Sequence, residues 1–559
     1  MRRLMLLGAA VLASCGSTTP EVREPAPPRR VTITIVGTND LHGHVGALPV
    51  LAGYVSALRE LRAQDGAVVL LDGGDMFQGT LESNLLEGAP VVEAYDAIGY
   101  DAVTIGNHEF DYGPVGERVT PTEPGDDPRG ALLARAAQAR YPFLAANLRT
   151  REGSPIEWAN VQTAVLLERA GIQIGVIGVT TEDTLSTTNA ANVSDLSMAP
   201  TVEAITHEAQ ALRARGAALV LVAAHAGGRC AEHDDPHDLT SCEADQEIFE
   251  VANALAPGTV DAIVAGHTHQ AVSHFVHGIP IVESYSYGRA FGRVDLVVDP
   301  DEGVVDVTVH PPQDLCVSGS VDEVCTPGTY EGHAIAADPA VAAIIAPAVA
   351  NAADQRARPL GVTIVGGPIE AIRETECSLG NLFTDLMRAS RGTDAALTNG
   401  GGLRADLPAG PLTYGSLYTA SPFDNASAIV RMTRAELEAM IEDNLRQTGS
   451  FYSLSGLRAT ARCEGGALRA HVTRDDGAAI ADDATLTVAT TDFLATGTDA
   501  HFEALRAREG AVTLEHGVMV REEMARVLEA RGGELTPLGL FDPSAPRVRY
   551  EGTRPLTCP

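Results

Sequence analysis

The stretch "DAVTIGNHEFDYG", Asp101 to Gly113, decides how this chain folds. An apolar run, Ala102 to Ile105, halts at Gly106, and Asn107, His108, Glu109 and Asp111 follow within five residues. A loop that had only to turn could use Asn and Gly alone. An amide, an imidazole and two carboxylates at the end of a buried strand read instead as a ligand site, because layered α/β folds bind ligands beyond the carboxyl ends of their strands.

The same arrangement recurs along the chain. "GTNDLHGH" supplies Asp40 and His42, "LLDGGD" supplies Asp75, "VAAHAGG" supplies His225, and "VAGHTH" supplies His267 and His269. Each follows a β-rich run, so with Asn107 and His108 five strand ends carry residues of the Asp, Asn and His type. One such residue after a strand reads as a cap, but five on a shared edge converge on one point. Imidazole and carboxylate without thiolate suit zinc, manganese or a related divalent ion, and about seven ligands fit two ions rather than one.

Composition sets the frame. The 559 residues are 45% hydrophobic and suffice for two or three domains with real cores. The formal net charge is −34 and the chain has no lysine, so nothing electrostatic favours polymeric nucleic acid as a partner. An anionic small substrate would need local cations, either metal ions or a few arginines. Residues 1–15, "MRRLMLLGAAVLASC", have the form of an export signal whose apolar run is too short to span a bilayer. The Pro-rich residues 16–30 read as a tether. Exported location makes disulfides available: Cys230 with Cys242 and Cys316 with Cys325 are near in sequence, while Cys377, Cys463 and Cys558 leave one odd thiol.

Residues 31–330 alternate strand and helix candidates, as an α/β layered domain does. Residues 331–360, Ala-rich, predict a linking helix that Pro347 should kink or interrupt. From 361 to 559 the alternation resumes without an internal repeat, giving two unlike domains.

The ordered series D-x-H, G-D, G-N-H-E, H and G-H-x-H resembles the calcineurin-like metallophosphoesterases, and "NHEFDYG" with the later motifs resembles the secreted bacterial 5′-nucleotidase branch. The resemblance covers roughly Val31 to Phe502. It implies a four-layer α/β sandwich, a linking helix and a smaller α/β (α+β) substrate-binding domain. It implies that Asp40, His42 and His269 bind one metal, that Asn107, His225 and His267 bind the other, and that Asp75 bridges them. His108 would stabilise transition-state charge or protonate the leaving oxygen, oriented by Asp111; Glu109 reads as structural. "LASC" before Gly16 resembles a bacterial lipobox, which makes Cys15 the lipid attachment point and the lipid the chain's link to a membrane. "EHDDPHDL", Glu232 to Leu239, reads as an exposed acidic loop rather than a third metal site.

A metal centre alone does not choose a substrate. In the second domain "IRETECSLGNL" offers Arg373, "TNGGGLR" offers Asn399 and Arg404, "SPFDN" offers Phe423, and "TDFLATGTDAHF" offers Phe493 and Asp499. Guanidinium groups grip phosphate, aromatic faces sandwich a nucleobase, and a carboxylate accepts from ribose hydroxyls. The resemblance places these residues in a nucleoside pocket. The last motif departs from the usual A-x-G-G-D-G-[FY] at Thr498, Ala500 and His501, with Phe502 one residue late, which bears on fine specificity. The expected activity is hydrolysis of nucleoside 5′-phosphates. A 2′,3′-cyclic phosphodiesterase with 3′-nucleotidase activity, a UDP-sugar hydrolase, a thiosulfohydrolase of similar fold and a non-catalytic surface binder are the alternatives.

Overall fold

The computed structural model describes residues 30–558 apart from 117, 122, 322, 323 and 498, with backbone alone for 515–518. The expected signal peptide, Cys15, nearly all of the tether and Thr498 lie outside the described residues.

Five strands carry the first domain's chemistry: β1 (Val31–Thr38), β2 (Gly66–Asp72), β3 (Ala102–Thr104), β4 (Leu219–His225) and β5 (Ala262–Ala265). The first three are neighbours in a seven-stranded sheet, β1 parallel to β2 and β2 parallel to β3. The other two lie side by side and parallel in a six-stranded sheet. The sheets face each other across one apolar layer, in which Ile33, Ile35, Val69 and Leu71 meet Ile174, Val176, Leu219, Leu221 and Val264. Alternate residues point away from that layer. Val68, Leu70 and Val103 meet the helices Leu48–Arg62 and Ala89–Ile98. Val220, Val222 and Ile263 meet the helices Thr201–Ala214 and Glu247–Ala254. The result is the expected four-layer sandwich, helix on sheet on sheet on helix. Close approach of the sheets requires glycine at position 37, where a Cβ would lie 2.6 Å from Val264 Cγ1.

The linking helix spans Pro339–Arg356, shorter than the 331–360 the sequence suggested, and it runs through Pro347 without interruption. Pro347 is solvent-exposed, so the carbonyl that loses its helical partner there can bond water instead. Asp338 caps the start by accepting from the N–H groups of Ala340 (2.7 Å) and Val341 (3.2 Å). Val341 and Ile345 pack into the first domain's core while Ala352 packs into the second's.

The second domain centres on a five-stranded sheet in the order Tyr452–Ser455, Ala395–Asn399, Thr485–Thr491, Ala426–Thr433, Val512–Met519. The helix Ser378–Arg391 belongs to one core cluster and the helix Arg434–Arg446, with the hairpin 457–474, to another. Disulfides join Cys230 to Cys242 and Cys316 to Cys325, the two pairs adjacent in sequence, and Cys463 to Cys558. Among the described residues Cys377 is the free thiol, and it is buried. No helix among the described residues is long and apolar enough to cross a membrane.

Candidate active site

All five strand ends reach one place. Asp40 and His42 follow β1, Asp75 follows β2, Asn107 and His108 follow β3, His225 ends β4, and His267 and His269 follow β5. The local backbone is unusual: Asp40 (φ 50°), His42 (φ 48°), Asp75 (φ 57°), His267 (φ 85°) and His269 (φ 58°) all sit in the left-handed region. Each such residue costs on the order of 1–3 kcal/mol, and such strain persists where the surrounding fold enforces it and the site uses it. Gly106 is needed because a Cβ there would lie 2.1 Å from Asp75 Oδ1.

The donor atoms fall into two groups, Asp40 with His42 and His269, and Asp75 with His225 and His267, each within 4.8 Å of one another. In the first, Asp40 Oδ1 lies 3.4 Å from His269 Nε2 and 3.8 Å from His42 Nε2, and the two imidazole nitrogens are 3.0 Å apart. In the second, His225 Nε2 is 3.0 Å from Asn107 Oδ1 and 3.2 Å from His267 Nδ1. Asp75 Oδ2 stands between the groups, 3.1 Å from His225 Nε2 and 3.6 Å from His42 Nε2. The far nitrogens are already committed, since His42 Nδ1 donates to the Gln78 carbonyl (2.7 Å) and His225 Nδ1 to the Gly73 carbonyl (2.8 Å). That leaves both Nε2 lone pairs aimed at the centre.

These residues fit a pair of divalent cations. Asp40 is fully buried, its Oδ2 accepts from Asn39 Nδ2 and the His267 N–H, and its Oδ1 has no hydrogen-bond partner at all. A buried, unpaired carboxylate oxygen facing imidazole nitrogens is a donor set that a cation would satisfy. Burial pushes His42 down to about 3 and His267 to about 4, so both imidazoles are neutral, the form in which a histidine can take a cation. Burial works the same way on His225, but Asp75 overrides it and holds the imidazole at about 10. The carboxylate that retains a proton there would retain a cation instead.

His108 projects beside the second group rather than into it. Its Nδ1 donates to Asp111 Oδ2 at 2.6 Å, and Asp111 Oδ1 accepts from the Thr188 hydroxyl at 2.8 Å. Burial lowers this imidazole, yet Asp111 and Asp75 outweigh burial and raise it to about 9. Glu109 turns away from the centre and accepts four backbone N–H bonds, from Asp75, Met76, Phe77 and Gly106 (2.7–3.3 Å), which fixes the turns carrying Asp75 and Asn107.

A cavity of about 570 Å³ opens from this centre and is closed by the second domain. Asn107, His108, Asp111 and His267 line one side, and Arg373, Asn399, Arg404, Phe423 and Phe493 the other. The Phe423 ring lies 6.4 Å from His108 and 5.3 Å from the Arg404 guanidinium carbon. The glycine run lets the loop lie close, since a Cβ at Gly400 would fall 2.1 Å from the Arg373 carbonyl oxygen. Asp499 is not part of this lining. Its Oδ1 caps the helix Ala500–Arg506 through His501 N (2.9 Å), and its Oδ2 accepts from the Tyr452 hydroxyl (3.0 Å). His501 pairs with Asp443 (2.7 Å), and Phe502 is buried in the core.

Sequence reading missed the loop at 186–189. Ser186, Thr187 and Asn189 line the cavity, the Thr187 carbonyl accepts from Asn107 Nδ2 (3.2 Å), and Asn189 Nδ2 donates to Asp492 in the second domain (3.0 Å). Its one signal was a run of hydroxyl and amide side chains after the strand Ile172–Thr180.

Two opposed sheets with a histidine and carboxylate centre at their carboxyl ends define a metal-dependent phosphoester hydrolase. Residues 33–271 match the calcineurin-like phosphoesterase family and residues 359–507 the 5′-nucleotidase C-terminal domain, so the chain belongs to the family that joins the two. Among relatives, it is 28% identical over 506 residues to the endonuclease YhcR of Bacillus subtilis, covering 86% of this chain but 38% of that one. It is 26% identical to protein UshA of Yersinia enterocolitica, with 78% of this chain and 80% of that one covered. The 5′-nucleotidase precursor from Thermus thermophilus shares the fold, at 23% identity and a TM-score of 0.66, with 93% of this chain and 99% of that one covered.

Proposed function

We propose that the protein is an exported 5′-nucleotidase that hydrolyses nucleoside 5′-phosphates to nucleoside and inorganic phosphate. One observation carries this reading: a single cavity is walled by Asn107 and His267 of the ligand cluster, with His108 beside them, on one side and by two arginines and two phenylalanines on the other. The cavity therefore offers a cationic, reactive end and an aromatic end within one volume the size of a small ligand.

In this reading Asp40, His42 and His269 would hold one divalent ion, zinc or manganese in class, and Asn107, His225 and His267 would hold the other, with Asp75 available to both. Such a pair, when bound, supplies Lewis-acid polarisation of phosphoryl oxygens and an activated water. The chain's own residues do the rest. Arg373 and Arg404 hold phosphate oxygens, and Asn399 hydrogen-bonds beside them. Phe423 and Phe493 receive the base between their faces, and Asp499 orders the wall next to Phe493 through its helix cap. Asp111 fixes the His108 ring with Nδ1 protonated and raises its basicity, so that His108 is charged near neutral pH and can give a proton to the departing 5′-oxygen. Export through residues 1–15 and anchoring through a lipid on Cys15 complete the proposal. Fatty-acid labelling that disappears in Cys15→Ser would test the anchor.

The deciding experiment measures phosphate release by the soluble chain beginning after Cys15, with manganese or zinc. The substrates are AMP, UMP, 3′-AMP, 2′,3′-cyclic AMP, UDP-glucose and p-nitrophenyl phosphate. The 5′-monophosphates should turn over fastest, and His108→Ala should lower their kcat about 10²–10⁴-fold while leaving bound metal unchanged. Phe423→Ala and Phe493→Ala should raise KM for AMP about 10-fold or more but spare p-nitrophenyl phosphate, since stacking is worth about 1–3 kcal/mol per base. Turnover of p-nitrophenyl phosphate alone would keep the hydrolase and remove the nucleotide assignment.

A further inference from the structure

Glu283 is a buried carboxyl group that no step above uses. It lies in the strand Ile279–Ser284, which pairs in parallel with β5, and it is 1% exposed. Its side chain sits beneath the two turns that carry His225 and His267. Oε2 accepts from the Gly228 N–H at 2.8 Å, and Oε1 lies 2.6 Å from the Thr268 hydroxyl. That hydroxyl also lies 2.7 Å from the Gly228 carbonyl oxygen. The turns are in tight contact here: a Cβ at Gly227 would fall 2.3 Å from the Gly266 carbonyl and 2.8 Å from Glu283 Oε1.

Proton counting decides the state of this group. The Thr268 hydroxyl has one hydrogen and two short oxygen neighbours. The Gly228 carbonyl can only accept, so the Thr268 hydrogen goes to it. The remaining short contact is a hydrogen bond only if Glu283 Oε1 supplies the proton. We infer that Glu283 is a neutral carboxylic acid that clamps the 225–228 turn to the 266–269 turn and thereby sets the spacing of His225 and His267; it is a positioning residue for the second metal-ligand group. Burial pushes its carboxyl group well above the usual range, and the nearby negative charge of Asp40 adds to that.

The inference rests on the metal reading of the site and is tested without any nucleotide. Metal-free protein is titrated with cobalt(II), reading stoichiometry and visible absorption, for wild type and the variants Glu283→Gln, Glu283→Ala, Thr268→Val and Thr268→Ser. Glutamine reproduces the protonated acid, with an amide N–H toward Thr268 and an oxygen toward Gly228. Wild type, Glu283→Gln and Thr268→Ser should each bind two ions with matching spectra. Glu283→Ala and Thr268→Val should hold one ion normally and weaken the other about 10–100-fold. Loss of an ion in Glu283→Gln would show the group must be ionised and overturn the inference alone. Normal binding by Thr268→Val and Glu283→Ala would overturn the clamp. If Glu283→Ala does not fold, Glu283→Gln against Thr268→Val still decides. Fewer than two ions in wild type would overturn the metal reading and this inference with it.

Discussion

Glu109 and Glu283 are both buried beside the histidine and carboxylate cluster, yet their glutamine variants should behave oppositely, because the partners of each differ. Glu109 faces only donors: Met76 and Phe77 N–H groups on Oε1, and Asp75 and Gly106 N–H groups on Oε2. An amide nitrogen placed there points at N–H groups and loses its acceptor role. Glu109→Gln should cost about 1–3 kcal/mol, read as a fall in the first domain's Tm by scanning calorimetry, whereas Glu283→Gln should leave Tm in place. Equal Tm values for the two variants would contradict the donor count at Glu109. His108 yields a prediction in pH. It is raised to about 9, burial acting against and Asp111 with Asp75 acting for the charged form. Asp111→Asn removes the largest support for that charge, so the proton leaves at lower pH. Bound cations lower the absolute value in both proteins but not the sign of the difference. The alkaline limb of the kcat/KM profile for a 5′-monophosphate should therefore move to lower pH in Asp111→Asn; an unmoved limb would assign that titration to another group.

The strand ends were legible as elements because each couples two independent signals, an apolar β run and an abrupt Asp, Asn or His beside glycine. Asp40, His42, Asp75, Asn107, His225, His267 and His269 all arrive at one centre for that reason. The 186–189 loop was not legible, since "STTN" has no period and gains its role only by folding against Asp111. Pro347 misled in the other direction, because local propensity forbids what an exposed helix face tolerates. The pairing of Cys463 with Cys558 was likewise out of reach: the cysteines are 95 residues apart, and the hairpin 457–474 meets the end strand Val548–Arg549 only in three dimensions. That separation makes the bond the most consequential of the three by chain entropy. Replacing both cysteines by alanine should cost about 4–5 kcal/mol, against roughly 2.5–3 kcal/mol for Cys316 with Cys325, which are nine apart. Urea unfolding followed domain by domain would read the difference, and a larger loss for the shorter loop would refute the chain-entropy ranking.

At the scale of the whole molecule, the cavity exists only because two domains meet, and no local pattern in either half encodes their relative placement. The residues for each wall were readable one by one, while the contacts that join the walls were not. Gln78 Nε2 donates to the Pro422 carbonyl (3.2 Å), Arg356 of the linking helix pairs with Glu82, and Asn189 donates to Asp492. The last of these makes the closed arrangement sensitive to pH. Asp492 is wholly buried, and burial, with a smaller push from Asp111, raises it to about 7 against the hydrogen bonds from backbone N–H groups and Asn189. The folded chain thus keeps a proton that the unfolded chain releases near pH 4. The stability linked to that proton is fully present below about pH 4 and is lost as pH rises through about 7. Asn at this position carries no titrating proton and forfeits one acceptor, since its amide meets the Asn189 amide or a backbone N–H. Asp492→Asn should therefore be the less stable protein at pH 5, and the gap in Tm should narrow as pH rises to about 7 and level off above it. A gap that stays constant, or widens with pH, would mean that Asp492 is already ionised in the closed molecule and that the Asn189 contact holds the domains together through charge.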